Sequence, residues 1–331
     1  MPSAEALKLA GLEELRLSYK EALSLINGTS YSAAVASLGI WDSYKLLRAA
    51  VAVMALVVEA SRASIAPLSV EANATKLHRG GEAEIARVMS ELLDDSKNVN
   101  TSGRVQDPYS IRCMPQVLGS VLDSLTWALR NVLNEVNSVS DNPIIINNSV
   151  YSTCHFHGQY IALSTDLLNT SLAVLGNLIE RQITQLLRRE INGVSNYLAN
   201  GPWRVGLMLT QYTAAALSAR LRELSTPSTV QNIPTSGFQE DVNSMSANSA
   251  IKLHEINSLV AQLIAILAYD TYMVASTNNA CRNCGRMTTR IYDVINKYVA
   301  GGAQSHNEAI TRLVGAIDEL SSLINLRVNP S

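Results

Sequence analysis

The chain has 331 residues, enough to bury a large core in one or two domains, and with a formal net charge of −2 nothing argues for a nucleic-acid or acidic partner. Hydrophobic residues make up 47% and charged residues only 16%, against about 25% charged in an ordinary globular chain. So few charges leave little polar surface, which favours a homo-oligomer with large apolar interfaces over a monomer.

Residues 5–25 are expected to be helical, with Leu7, Leu9, Leu12, Leu15 and Leu17 among polar neighbours. Asn27-Gly28-Thr29-Ser30 reads as a helix stop followed by a Thr or Ser N-cap. From Tyr31 to about Ser61 the pattern is almost continuously apolar and small, as in a helix buried on most sides. Pro67 breaks it, Leu77-His78-Arg79-Gly80-Gly81 forms a loop, and Glu82 to Leu93 is an amphipathic helix. A polar linker, Asp94 to Arg104, leads to an irregular island from Val105 to Cys113. Pro108 biases Asp107 away from the helical region there. Met114 to Val136 has helical period, and Asn137 to Pro143 is rich in turn residues. Ile144-Ile145-Ile146, Asn147-Asn148 and Ser149-Val150-Tyr151 spell one small hairpin. Helices follow from Cys154-His155-Phe156-His157-Gly158 to about Glu190, from Val205 to Leu224 after a break at Gly201-Pro202, and from Ser244 to about Ser276. The last two span about 286–299 and 304–326. The expected fold is all-α: a single helical domain over 1–331, a long-helix bundle with one small hairpin.

The opening Met1-Pro2-Ser3-Ala4-Glu5 lacks the basic and apolar regions of a signal peptide, and the longest apolar run, Ala49 to Val58, is too short for a bilayer. Four cysteines in a chain this long do not suggest a disulfide framework. Cys281 and Cys284 form a lone CxxC without the second pair that zinc requires, so ordinary reduced thiols are expected and no metal site. A cytoplasmic protein without membrane or nucleic-acid partners fits these features.

The polar islands between the helices share a composition: Asn27; Gln106, Tyr109 and Arg112; Asn142; Phe156 with His155 and His157; Gln239 with Glu240. Both Phe residues of the chain, Phe156 and Phe238, lie in them. An aromatic wall, amides, one Arg and one carboxylate would suit a small zwitterionic amino acid, because Arg grips a carboxylate with two parallel bonds. Each residue also has a bland reading. Arg112 would then pair only with Asp107 or with an interface carboxylate, Tyr109 would be a buried core tyrosine, and Glu240 with Asp241 would favour a helix start.

In order and interval, Leu25-Ile26-Asn27-Gly28-Thr29, Val105 to Cys113, Ser140-Asp141-Asn142-Pro143, Phe156-His157-Gly158, Pro234-Thr235-Ser236 and Gln239-Glu240-Asp241 resemble the successive signatures of the aromatic amino acid lyases, on the side of the histidine ammonia-lyases. The resemblance covers nearly the whole chain and implies a tetrameric long-helix bundle with sites built from several subunits. It implies elimination of ammonia from L-histidine to give urocanate. Arg112 would bind the substrate carboxylate, while Asn27 and Tyr109 would take catalytic positions beside the electrophile. Gln106, Asn142, Phe156 and Gln239 would line the pocket, and Glu240 would favour an imidazole-bearing substrate. The family's electrophile is a methylidene-imidazolone made from an internal Ala-Ser-Gly. That triplet and the part of the family pattern that carries it have no counterpart here, so the resemblance implies a separate, smaller subunit that supplies it. Thr101-Ser102-Gly103 and Thr235-Ser236-Gly237 are poor substitutes. His155, Phe238 and the pair Arg204-Val205 depart from the family pattern. A non-catalytic amino-acid-binding scaffold, and a lyase or aminomutase acting on phenylalanine or tyrosine, stay open beside the split histidine lyase.

Overall fold

A computed structural model describes residues 1–78, 80–201, 204–301 and 303–328; Arg79 and Pro202, each part of an expected loop, lie outside the described residues. In chain order the helices are α1 (Ser3–Leu9), α2 (Glu21–Ile26), α3 (Ser30–Ala60), α4 (Val70–Ala74), α5 (Gly81–Leu93), α6 (Tyr109–Arg112) and α7 (Met114–Val136). Strands β1 (Ile144–Ile146) and β2 (Ser149–Tyr151) follow, then α8 (Gln159–Leu186), α9 (Arg189–Asn192), α10 (Met208–Leu224), α11 (Ser246–Thr277), α12 (Arg286–Val299), α13 (His306–Val314) and α14 (Ile317–Ser322). The all-α expectation holds. The hairpin has the expected register, Ile144 opposite Tyr151 and Ile146 opposite Ser149. Its turn residues Asn147 and Asn148 both take positive φ (50° and 60°), the tight hairpin turn for which asparagine is suited.

Three expectations are corrected. Residues 5–25 are not one helix: α1 stops at Gly11 (φ +68°), and the chain re-enters helix only after Lys20 (φ +70°). None of the residues of α1 or α2 is buried, so the leucine period there had no packing to stabilise a continuous helix. The helix expected to reach Glu190 ends at Leu186, because Arg188 is extended (φ −94°, ψ 136°) before the short α9. The span 304–326 is two helices, parted at Gly315-Ala316.

The core is a bundle in which α3, α8 and α11 run parallel, with α7 and α10 antiparallel to them. Polar contacts fix that alignment. At one end Thr29 donates to Glu135 Oε1 (2.7 Å) and Thr165 meets Ser249 (2.6 Å). Midway, Ser43 Oγ donates to Asn257 Oδ1 (2.8 Å). At the other end Asn278 Nδ2 donates to Ala60 O (2.9 Å), and Gln182 Nε2 to Ser110 O (2.8 Å). The α11 helix is apolar and long enough to cross a membrane by composition, yet it lies among α3, α8, α10 and α13 with most of that apolar stretch buried. Its hydrophobicity is that of a core helix. Where α5 crosses α7 the backbones nearly touch: a Cβ on Gly81 would lie 2.0 Å from Gly119 O, and one on Gly119 would lie 2.5 Å from the Glu82 Cα.

The last turn of α3 carries Glu59, fully buried. Its carboxylate accepts from Ser96 Oγ (2.8 Å), Gly285 N (3.0 Å) and Thr288 Oγ1 (2.7 Å), joining α3 to the 94–104 linker and to the start of α12. No cation pairs with it among the described residues. Asp270 of α11 is also fully buried. The Thr210 hydroxyl lies 2.6 Å from Leu207 O and 2.8 Å from Asp270 Oδ2. A single hydroxyl hydrogen serves one of these acceptors, and a protonated Asp270 supplies the other bond. Burial pushes the Asp270 carboxyl well above the carboxylate range, with the Thr210 bond pulling the other way.

Two outcomes are expected. Gly119→Ala forces α5 and α7 apart and lowers stability by about 1–3 kcal/mol, read as a drop in Tm of several degrees. Folded Asp270 keeps its proton where the unfolded chain has released it, so its contribution is present in acid and is lost as pH rises toward the elevated folded value. Asp270→Asn mimics the protonated form. It should melt above the parent near pH ~7, with the gap closing toward pH ~4, in thermal scans across that range.

Candidate active site

The expected site residues fall into two groups at opposite ends of the bundle. The first gathers where α3, α8 and α11 begin. Gly28, next to Asn27, forms an antiparallel bridge with Asp141. A Cβ on Gly28 would lie 2.9 Å from Ser140 O, so glycine lets the two loops close on each other. Lys20 forms an ion pair with Asp141, and Ser24 Oγ donates to it (2.7 Å). Lys20 first, then Ser24, hold the Asp141 carboxyl below its ordinary range. Asn142 Oδ1 accepts from Thr153 N, tying the turn before β1 to the residues after β2. Phe156, half-buried, follows on that segment. His157 Nε2 donates to Val242 O (3.1 Å), and Gly158 packs so closely on α11 that a Cβ would lie 2.6 Å from Ser246 Oγ.

Those contacts bring in the exposed loop that bears Gln239 and Glu240. Thr235 and Glu240 form an antiparallel bridge, and Thr235 Oγ1 donates to Glu240 Oε2 (2.6 Å). Thr235, then Ser236, hold the Glu240 carboxyl below its ordinary range, so it is ionised at neutral pH. Between them Ser236, Gly237 and Phe238 all take positive φ (49°, 63° and 69°), and Phe238 is 79% exposed. A bulky residue with positive φ is uncommon, and such strain concentrates at binding and catalytic loops.

The second group sits where α3, α8 and α11 end. Asp107 is buried. It accepts from Ser64 N (2.8 Å) and Arg104 Nε (2.8 Å), while Arg104 Nη2 donates to Ser61 O (2.7 Å). These bonds pin the island against the end of α3. Arg112 therefore does not pair with Asp107. Its Nη1 donates to Gln106 Oε1 (2.7 Å), and its guanidinium lies 5.9 Å from the centre of the Tyr109 ring. Tyr109 is 73% exposed, which corrects its reading as a buried core tyrosine, and Val105 is 99% exposed. Arg112 borders a polar cleft of about 380 Å³ with Lys76, Glu82 and Gln116. The Glu82 carboxylate is taken by Gln116 (2.9 Å) and Lys76 (3.4 Å), so no carboxylate pairs with Arg112 among the described residues.

Gln106, Tyr109 and Arg112 thus form one cluster. Asn27, Asn142, Phe156, Gln239 and Glu240 belong to another. The 31 residues of α3 lie between them, about 45 Å at 1.5 Å per residue. No small molecule touches both within one chain. The second cluster can hold an anion through Arg112, and the first can hold a cation or N–H group through Glu240. Among the described residues no group of His, Cys, Asp or Glu is placed to hold a metal ion; His254 is half-buried and bonded to Val35 O (2.9 Å), and His306, exposed, is bonded to the Tyr269 hydroxyl (2.5 Å). Two residues that position the clusters, Glu59 and Arg104, escaped the sequence reading. A lone acid ending an apolar run was the available signal for Glu59, since buried charges are rare without a dedicated partner.

The model of the aromatic amino acid lyase family matches residues 1–297. A probable histidine ammonia-lyase of Thermoplasma volcanium is 39% identical over 269 residues, covering 80% of this chain and 54% of the relative. The histidine ammonia-lyase of Treponema denticola is 34% identical over 305 residues, covering 91% and 60%. Among solved structures, tyrosine aminomutase from Streptomyces globisporus superposes with a TM-score of 0.91 at 28% identity, covering 98% of this chain and 68% of that one. Histidine ammonia-lyase from Trypanosoma cruzi gives 0.86 at 28%, covering 97% and 63%. The chain spans a little over half the length of the curated relatives it matches. With the helical bundle, the ordered motifs and a family match over most of its length, the chain belongs to the aromatic amino acid lyase family.

Proposed function

We propose that this chain is the larger, substrate-gripping part of an ammonia-lyase that converts L-histidine to urocanate in the cytoplasm. Its sites form where the Arg112 end of one copy meets the Glu240 end of another, in a homo-oligomer with a tetramer-like core. The observation that carries the reading is Arg112: held in place by Gln106 and Tyr109, lacking a carboxylate partner among the described residues, and facing an open cleft. Arg112 grips the substrate carboxylate with two parallel bonds. Glu240, ionised, accepts from the imidazole N–H. Asn27 and Gln106 orient the substrate through their amides, Tyr109 presents its hydroxyl to the reacting end, and Asn142, Phe156 and Gln239 shape the pocket. Histidine ammonia-lyases among the relatives and the carboxylate at position 240 both support histidine. Four free cysteines suit a reducing compartment.

The methylidene-imidazolone of this family supplies the electrophile for ammonia loss. The chain's own residues do not make it. No Ala-Ser-Gly occurs in the sequence. Ser102 N is bonded to Arg62 O (3.1 Å), and Ser236-Gly237 forms the turn between Thr235 and Glu240. The exposed faces of Tyr109 and Val105 instead fit coverage by another polypeptide. We assign the electrophile to a smaller partner subunit, with Tyr109, Gln106 and Asn27 lining its place.

Purification from the native source, with co-purifying proteins identified and urocanate followed in the near-UV, tests this directly. Urocanate release only with a smaller partner supports it; release by this chain alone, or none with every co-purifying protein present, overturns it. In the active assembly Arg112→Ala should lower kcat/KM at least about 100-fold, the loss of a charge-assisted pair of bonds. Mixing inactive Arg112→Ala and inactive Glu240→Ala chains should restore roughly a quarter of the sites, because each site draws its two halves from different copies. Glu240→Gln should lower turnover of histidine more than that of phenylalanine, measured as the ratio of kcat/KM for the two substrates.

A further inference from the structure

Cys281 and Cys284 occupy the corner between α11 and α12, where neither motif nor pocket of the lyase site reaches. Cys281 lies in a 3-10 turn, Ala280–Arg282, and Cys284 lies just before Gly285, the N-cap of α12. Both are free and partly exposed. Their sulfurs are 2.8 Å apart, the Cys284 thiol donating toward Cys281. Cys113 and Cys154, the other two cysteines, have no such neighbour among the described residues.

That corner also holds the linker to the Arg112 platform. Lys97 N donates to Asn283 O (3.1 Å) and Arg286 N to Asp95 Oδ1 (3.0 Å). Gly285 N and Ser96 Oγ both donate to the Glu59 carboxylate. Further along, Asn100 N donates to Ala63 O (2.8 Å) and Asn100 Oδ1 accepts from Ile65 N (3.0 Å). Ser64 N then meets Asp107, which pins the loop of Gln106, Tyr109 and Arg112. A run of backbone and side-chain hydrogen bonds thus joins the cysteine corner to the substrate-gripping cluster.

We propose that Cys281 and Cys284 form a thiol–disulfide exchange site for small-molecule disulfides, and that the bridge, once closed, stiffens the corner on which the Arg112 platform is mounted. Cys281 is the accepting sulfur and attacks one sulfur of the small disulfide, releasing one thiol and leaving a mixed disulfide. Cys284, giving up its proton, then attacks the Cys281 sulfur and releases the second thiol. Two protein thiols and one small disulfide become one protein disulfide and two small thiols, the two protons passing to the released thiolates. The bond to Cys281, then burial, push the Cys284 thiol above its ordinary range, which assigns it the second, resolving role. The bridge itself stands on the two cysteines; only its bearing on substrate binding rests on the lyase reading.

The test takes the full chain in its assembled state through a series of glutathione and glutathione disulfide mixtures, with acid trapping, alkylation and peptide mass measurement. Expected is loss of two hydrogens from the peptide that holds both Cys281 and Cys284, reversed by excess glutathione, while Cys113 and Cys154 stay alkylatable. Cys281→Ser should abolish the bridge. Hydrogen exchange of the 94–104 segment should slow about tenfold on bridging in the parent chain and stay unchanged in Cys281→Ser. Mixed disulfides without a bridge at the most oxidising mixture, or equal oxidation of all four cysteines, overturn the exchange site. A bridge that leaves exchange over 94–104 unaltered overturns the stiffening. No lyase activity is read, so the outcome is independent of the proposed reaction.

Discussion

A helix of 31 residues that is buried along most of its length cannot fold back on itself, and α3 is such a helix. Both clusters of motif residues hang on its two ends. The loop that starts it carries Asn27 and meets the turn at Asn142. The loop that leaves it is stitched to the island of Gln106, Tyr109 and Arg112. The bundle partners α8 and α11 run beside it in the same sense, so their first residues join one group and their last residues the other. A single chain therefore presents two clusters of complementary charge, one around the guanidinium of Arg112 and one around the carboxylate of Glu240; under the proposed function these are two halves of one site. Symmetric association that sets unlike ends together is the economical way to complete both.

The availability of Arg112 depends on how neighbouring acids are occupied. Asp107, three residues after Arg104 and five before Arg112, takes the Arg104 side chain and a backbone amide. Glu82 takes Gln116 and Lys76. With both acids satisfied elsewhere, the guanidinium of Arg112 is oriented by a neutral amide and an aromatic ring, which hold it without neutralising it. Glu59 does the corresponding work underneath. A carboxylate bonded only by neutral donors, it ties the end of α3 to two segments distant in sequence.

Much of this was legible in the sequence, for local reasons. The hairpin declared itself by an isoleucine run and Ser149-Val150-Tyr151 around Asn147-Asn148, and α3, α7 and α11 by period and composition. The first 26 residues misled because leucine spacing alone was read as helix, whereas a helix needs a surface to bury that spacing against. The break between α13 and α14 at Gly315 was hidden by a period that continues across it. The motif residues were legible as a set. Their division between two ends was not, because it is fixed by the length of the helices between them and no motif carries it. The partner of Asp107 was not legible: Arg104 and Arg112 both lie within reach in sequence, and only the packing of the loop on Ser61 and Ser64 decides for Arg104.

The contact between Ser43 and Asn257 joins residues 214 positions apart. The α3 surface that receives α11 thus precedes its partner by some two hundred residues of chain. During that interval a long helix with four charged residues among 31 stands without α11 on its apolar side, and α11, when it emerges, is equally bare. Distant pairings of this kind form slowly and expose sticky intermediates. Recovery from denaturant is therefore expected to fall as the chain's concentration rises, because bare α3 and α11 faces of different copies compete with the native contact.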